Sequence, residues 1–428
     1  MCEYTNKAYE DAIVYLKTSP MFNLSLSSKE LFHSNFLYWL STIDKNKSIF
    51  KGLVTSLGAD ISGWNDNTWE VKREFKNLDV CVIDKEGKIL LVVENKVKSI
   101  PTITQLDSYN VTIKNNNKKD LLKENKVLLS LTKPEFQLNS WVWKGYDSII
   151  TYLTGLKGKL CYYEVNEDKV SYYNQIIIDY TEFISALLFI VNEWKDNDFK
   201  LEYPYLQNYK SKEDIVETDV DYSDYQSKVS NHYKTAEELR IHDLYGKYRT
   251  AILCKKLEDE LGNKQLLNDN KIEVKYGYSN ATPLLEVKIK GVGEKINDQT
   301  EEVFCIQVQG KQYRHAIWAR YKDATNREER IEQSIQRIKE QYKNDKWQWF
   351  MNIGYKPDND ENKCFSHLIN DNIKFKPKGQ KKEYCAYDDK TGGEFIYQYI
   401  TIQKEATAQD VLNAIVADVK YIIEKFNK

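Results

Sequence analysis

Three charged residues of this 428-residue chain, Asp79, Glu94 and Lys96, have types and spacing that could do chemistry. They lie in or beside two apolar runs, Leu78 to Ile83 and Ile89 to Val93, separated by the charged segment Asp84-Lys85-Glu86-Gly87-Lys88. Runs rich in Val and Ile around a Gly-containing polar cluster predict a β-hairpin deep in a sheet. Charged groups are out of place in such a frame, because burying an unpaired charge is costly. Side chains alternate faces along a strand, so Glu94 and Lys96 share one face. With Lys85 to Lys88 as the loop, Asp79 sits directly opposite Glu94; with the two-residue loop Lys85-Glu86 it is offset by one diagonal step on the same face. Either register gathers two carboxylates and an ammonium at one end of the hairpin. Two close carboxylates repel unless a cation lies between them, and a hard divalent ion such as Mg²⁺, or Mn²⁺ in its place, takes oxygen ligands of this kind. Lys96 beside such an ion could position a water molecule, or deprotonate one through a lowered pKa. Together these groups describe hydrolysis of a phosphodiester.

The elements that must hold these groups are readable around them. Ser27-Ser28-Lys29-Glu30 has the form of a capping box with Ser27 as N-cap, opening a helix that buries Phe32, Phe36, Trp39, Leu40 and Ile43. His33 lies one turn into it, as a packed or surface histidine or as a catalytic or phosphate-contacting one. Thr68 to Phe75 reads as a first strand, followed by the hairpin. Lys98, on the way out of the second hairpin strand, reads as a solvated lysine or one that reaches a phosphate. Pro101 starts a helix on which Gln105 and Tyr109 are four residues apart and share a face. Lys126 to Thr132 is a fourth strand, reached by a right-handed crossover. Trp141-Val142-Trp143-Lys144 reads as core cover, with a base-stacking platform as the sharper alternative. Gly145 to Leu156 and Asn174 to Trp194 read as further helices.

Asp79 followed by Glu94-Asn95-Lys96 at the end of the next strand resembles the PD-(D/E)xK nuclease superfamily. Gln105-Leu106-Asp107-Ser108-Tyr109 looks like the Q-x-x-x-Y element of its RecB-like members, and Lys29 to Leu40 is similar to the opening helix of one prokaryotic branch. The resemblance covers roughly residues 25 to 190, and departs from the family in having Leu78 where a proline often precedes the aspartate. It implies an α/β chain with a restriction-endonuclease-like α/β/α core and a four-stranded mixed sheet. It also implies Asp79, Glu94 and the main-chain carbonyl of Asn95 as metal ligands, with Lys96 as the catalytic lysine. Glu30 would be a further acidic residue near the metal, beside its capping role. Gln105 and Tyr109 would face the metal and the nucleic-acid backbone.

Composition bounds the rest. The length allows two or three domains, and 41% hydrophobic with 29% charged residues is the profile of an ordinary folded protein. The longest apolar stretch, Phe183 to Val191, falls short of the about 20 residues a bilayer requires. No cleavable leader is visible at the N-terminus, so a cytoplasmic location with no membrane partner is expected. Seven scattered cysteines and five histidines show no C-x-x-C, zinc or H-E-x-x-H spacing. A formal charge of −2 means that nucleic acid must be met by local basic patches.

The chain is expected to divide into a nuclease-like domain over 1–195, an acidic linker or surface lobe over 196–234, and an α+β domain over 235–428 that selects substrate, senses a trigger or oligomerises. Thr235-Ala236-Glu237-Glu238 reads as a capping box opening a long helix to about Leu261. Strands are expected over 271–276, 284–289, 303–308, 313–318, 347–353 and 395–400, with helices over 326–342 and 408–426. Basic residues cluster at Lys311, Arg314, His315, Arg320, Arg327 and Arg330, and again over 374–382. The expected activity is metal-dependent cleavage of nucleic acid, with DNA as the expected partner, in restriction, phage defence or repair. A homo-oligomer or a defence-system partner protein is left open. The rival readings are a non-catalytic nucleic-acid-binding or assembly protein that keeps the fold, and a different enzyme acting on a small nucleotide.

Overall fold

The computed structural model describes residues 2–28, 30–64, 68–97, 99–134, 136–194, 231–264, 272–279, 282–291, 295–297, 300–310, 312–319, 350, 375–376, 385–388, 394–402 and 406–426. The chain divides into two compact units, one of Met1–Asn197 with Asn231–Tyr248, the other of Asp198–Ser230 with Arg249–Lys428. The first unit therefore takes in residues beyond 195, and the expected acidic segment lies outside the described residues up to 230.

The first unit is built on one mixed sheet of strands β1 (Trp69–Phe75), β2 (Leu78–Asp84), β3 (Ile89–Lys96), β4 (Lys126–Ser130) and β5 (Val142–Gly145), in that spatial order. β1, β2 and β3 pair antiparallel, and β3, β4 and β5 pair parallel. Five strands thus replace the expected four. The fifth went unread because it is four residues long and only half-buried, with no apolar alternation to mark it.

Local chemistry fixes the turns of this meander. Lys76 and Asn77, at φ 55° and 66°, form a two-residue connection with both central residues left-handed, the twist that suits a hairpin. At the next turn Asp84 Oδ1 accepts the N–H groups of Glu86 and Lys88 at 2.9 and 2.8 Å, while Gly87 takes φ 77°, open to it at no steric cost.

Helix α1 (Cys2–Thr18) is followed by α2 (Pro20–Ser28), α3 (Glu30–Leu40) and α4 (Ser48–Ser56). Ser27 lies inside α2, so it does not cap α3; proline at the first position of α2 favours the helix that absorbs it. Helix α5 (Ile103–Asn117) fills the β3-to-β4 crossover, and Thr102 Oγ1, not a proline turn, receives the Gln105 N–H at its start. Leu106 and Ile113 of α5 pack on Leu78, Cys81, Ile83, Ile89, Val92, Leu128 and Trp141 to form the core of this face. Against the other face lie α3, α6 (Tyr146–Leu156) and α7 (Val170–Glu193), with Phe36 and Tyr180 stacked at 3.5 Å between ring centroids. Sequence reading placed no stretch of membrane-spanning length here, and that is corrected. The segment Glu167–Glu193 has a mean hydropathy of 1.4 over its best window, long and apolar enough to span, because the window tolerates Asp179 and Glu182. Eight residues of α7, Phe183, Leu187 and Ile190 among them, are nevertheless buried inside the unit, as in a core helix.

In the 235–263 region the expected single helix is two, Asn231–Glu238 and His242–Asn263. Arg240 turns left-handed at φ 55°, and the Ile241 N–H reaches back to the Ala236 carbonyl at 2.8 Å, which is a Schellman termination. Thr235 is therefore interior to a helix and caps nothing. Leu239, Ile241 and Leu244 are buried around the break, which gives the chain an apolar reason to turn there.

The second unit carries an antiparallel sheet in the order β12 (Phe375–Lys376), β14 (Glu394–Ile402), β11 (Gln312–Ala319), β10 (Val303–Gln309), β7 (Thr282–Ile289), β6 (Ile272–Ser279), with β13 (Cys385–Asp388) also on β14. A small pair, β8 (Lys295–Asn297) and β9 (Thr300–Glu301), stands apart. The closing helix Ala408–Phe426 forms as expected, opened by a reciprocal cap between Thr407 and Asp410. It buries Val411, Leu412, Ile415, Val419 and Ile422. The same helix carries the fully buried Asp418, which binds the Tyr313 hydroxyl at 2.6 Å and His315 Nε2 at 2.9 Å. His315 thus belongs to the interior and not to a basic surface. The expected helix over 326–342 and strand over 347–353 fall outside the described residues apart from Phe350, as do Lys311, Arg320, Arg327 and Arg330 and most of 374–382.

Candidate active site

The position of α5 along β3 decides what meets what. Asn117, its last residue, both donates to the Ile89 carbonyl and accepts from the Ile89 N–H, each at 2.8 Å. With the end of the helix pinned to the start of the strand, the start of the helix comes to the strand's far end. Gln105 and Tyr109 are thereby delivered to Glu94 and Lys96.

On the sheet, Val80 pairs with Val93 and Cys81 with Val92, so the next antiparallel step carries Asp79 to the level of Glu94. This is the register of the four-residue loop; a bulge nearer the turn, at Leu90, absorbs the difference there. Asp79 Oδ2 accepts the main-chain N–H of Asn95 at 2.8 Å. Lys96 Nζ lies 2.6 Å from Glu94 Oε1, with Glu94 fully buried and Lys96 nearly so. The three groups inferred from sequence therefore converge on one face.

Their charges are strongly coupled. Burial first, then the negative charge of Asp79, pushes the Glu94 carboxyl up to about 7, with Lys96 pulling the other way. Burial alone would lower the Lys96 pKa, but Glu94 and Asp79 outweigh it and hold the amine above its ordinary range. The expected lowered lysine is thus reversed here, because two carboxylates, Glu94 and Asp79, face it and outweigh its burial. Tyr109 is raised to about 12, by burial and then by Glu94, and its oxygen accepts from Gln105 Nε2 at 2.7 Å. Cys81, on the same face of β2, is buried as a free thiol and pushed well above its usual pKa by burial and by the same two carboxylates.

Asn95 points the other way. Its side chain is fully buried, accepts from the Tyr146 hydroxyl and donates to Ser34 Oγ at 3.4 Å, on the far side of the sheet. Its main chain serves the near side. A strand residue directs its N–H and C=O to the same edge, and the Asn95 N–H goes to Asp79, whereas the next carbonyl, of Lys96, goes to Leu131 on the β4 side.

A divalent cation fits this donor set. Among the described residues no group of three or more His, Cys, Asp or Glu stands together, yet a magnesium-like ion commonly needs only one or two carboxylates and keeps waters for the rest. Both Glu94 oxygens are buried, with Lys96 and Tyr109 as the donors within reach of this carboxylate. A buried carboxylate with a second one beside it is short of positive charge.

The remaining expected residues divide. His33 is fully buried on the far side of the sheet, with Nδ1 2.9 Å from the Tyr180 hydroxyl and Phe32, Tyr146 and Phe183 around it. An imidazole so enclosed touches no nucleic acid in this conformation, and the expected contact is corrected on that ground. Glu30 opens α3, but its side chain lies outside the described residues, as does all of Lys98. Trp141 is buried in the core and Trp143 Nε1 donates to Ser130 Oγ at 2.9 Å, so this pair covers the core. Sequence reading missed Tyr146 and Ser34, since nothing in the spacing of residues 51 and 61 positions from Asn95 signals a contact with it.

A five-stranded mixed sheet of this kind, helices on both faces, with an acidic pair and a lysine at the end of its central strand, defines a nuclease-like α/β core. Residues 21–204 match the family described as the PD-(D/E)XK nuclease superfamily, which places the N-terminal half of the chain in that superfamily. Neither the curated proteins nor the solved structures searched gave a match.

Proposed function

We propose that the chain is a divalent-cation-dependent nuclease that hydrolyses phosphodiester bonds, with DNA as its substrate. The observation that carries this reading is the convergence of Asp79, Glu94 and Lys96 on one face, with Glu94 sealed from water. Asp79, Glu94 and the carbonyl of Asn95 would hold Mg²⁺ or Mn²⁺. The bound ion supplies Lewis-acid stabilisation for the negative charge that builds on the phosphate during displacement.

The chain's own groups do the rest. Lys96, held protonated by its two acidic neighbours, donates hydrogen bonds that orient a water for in-line attack and does not take the proton itself. Asp79 is aimed by the Asn95 N–H. Gln105 occupies the Tyr109 oxygen, which leaves the Tyr109 proton for Glu94 or for a phosphate oxygen. Residues of the superfamily type serve restriction, phage defence and repair, and a cytoplasmic role in one of these is part of the proposal.

The test is incubation of the purified protein with supercoiled plasmid, linear duplex, single-stranded DNA and RNA, in Mg²⁺, Mn²⁺ or EDTA. Cleavage that requires the metal and vanishes in both Asp79→Ala and Lys96→Ala is expected. Metal-independent cleavage, or binding of nucleic acid with no cleavage of any substrate, would sink the proposal.

A further inference from the structure

A run of buried polar side chains crosses the far side of the sheet and ends on the strand that carries Glu94 and Lys96. Asn95, Tyr146, Tyr180 and His33 are each fully buried, and Ser34 nearly so. Tyr146 donates to Asn95 Oδ1, and His33 Nδ1 lies 2.9 Å from the Tyr180 hydroxyl.

The direction of the Tyr146 bond follows from counting protons. An amide oxygen only accepts, so Tyr146 spends its single proton on Asn95. Asn95 in β3 is thus held from behind the sheet by Tyr146 of α6, which donates to its amide oxygen. Ser34 grips the amide nitrogen of the same side chain at 3.4 Å.

What this fastens is the peptide between the two catalytic candidates. Asn95 is flanked by Glu94 and Lys96, and its N–H holds the Asp79 carboxylate at 2.8 Å. A rotation of that peptide would displace all three groups at once.

We propose that Tyr146 is a positioning residue, which clamps Asn95 from behind the sheet and thereby sets the geometry of Asp79, Glu94 and Lys96. This rests on the nuclease reading for its catalytic consequence, though not for the clamp itself.

Tyr152 supplies the control. It lies on the same helix, and its hydroxyl donates to the Ile49 carbonyl at 2.6 Å, away from β3. Tyr146→Phe and Tyr152→Phe each delete one enclosed hydroxyl, so both lose some stability. Hydrogen exchange at the Asn95 amide, which needs no activity, should quicken at least about tenfold in Tyr146→Phe and stay unchanged in Tyr152→Phe. In the cleavage assay, kcat should fall roughly ten- to a hundredfold in Tyr146→Phe with KM for DNA within about twofold, as expected when reacting groups are misplaced without loss of binding. Equal exchange at Asn95 in the two variants, or an equal change in kcat, would overturn the clamp. Faster exchange only in Tyr146→Phe, with no cleavage by the unaltered protein, would keep the clamp and reject the nuclease.

Discussion

At Glu94 the opposing forces are nearest to balance. Its carboxyl is raised to about 7, so below that pH it is protonated and a poor metal ligand. Apparent Mg²⁺ affinity should therefore rise by about tenfold per pH unit up to about pH 7 and level off above it, as titration calorimetry would show. The same group makes the metal-free protein lose stability as pH rises. Between its unfolded value of 4.5 and about 7 the folded state holds a proton that the unfolded state releases, which costs at most about 3 kcal/mol by pH 8. Urea unfolding in EDTA at pH 5 and pH 8 should show that fall; greater stability at pH 8 would refute the assignment. Lys96→Met removes the nearest cation from Glu94. It should destabilise by about 3 kcal/mol at pH 8, as expected for an unpaired buried charge, and by clearly less at pH 5, where Glu94 is neutral.

At the scale of elements, α5 acts as a ruler laid along β3, with Asn117 as its zero mark. Asn117→Ala deletes both bonds to Ile89 and should cost about 1–3 kcal/mol in urea unfolding, since it leaves Ile89 groups unsatisfied. Cleavage should fall as well, because the helix end that carries Gln105 and Tyr109 loses its register; full activity would show that the helix is placed by its apolar face alone. Arg240→Gly replaces a residue held left-handed at φ 55° with one that adopts it without strain, and should stabilise by about 1 kcal/mol. These elements differ in how legible they were. Asp79, Glu94 and Lys96 stood out in sequence because charges interrupt continuous apolar runs, and Gln105 with Tyr109 because they resemble the Q-x-x-x-Y element of the family. The closing helix was found to the residue by its apolar stripe. β5 is too short for any period, and the Tyr146 to Asn95 bond depends on packing between elements that no local pattern records. The capping boxes at Ser27 and Thr235 failed for a related reason: the motif is local, but neighbouring segments carried helix through both positions.

At the scale of the molecule, each unit has its own sheet and its own buried polar anchor. In the second unit Asp418 joins the closing helix to Tyr313 and His315 across 105 and 103 residues of sequence, entirely out of water. Asp418→Ala strips two buried donors of their acceptor and should cost about 3 kcal/mol or more. If the units unfold separately, calorimetry of this variant will show one transition moved down and the other in place; a single transition that shifts as a whole would mean that the two melt together. The free thiols among the described residues offer a way to watch each part. Cys81 lies under the carboxylates in the first unit, Cys254 and Cys305 are enclosed in the second, and Cys161 is exposed. An alkylating reagent at neutral pH should mark Cys161 at once and reach Cys81, Cys254 and Cys305 only when the structure around each opens. The chain thus carries its own pair of clocks, one ticking with the breathing of the sheet that holds the acidic pair and the other with that of its companion unit, and neither requires knowing the substrate.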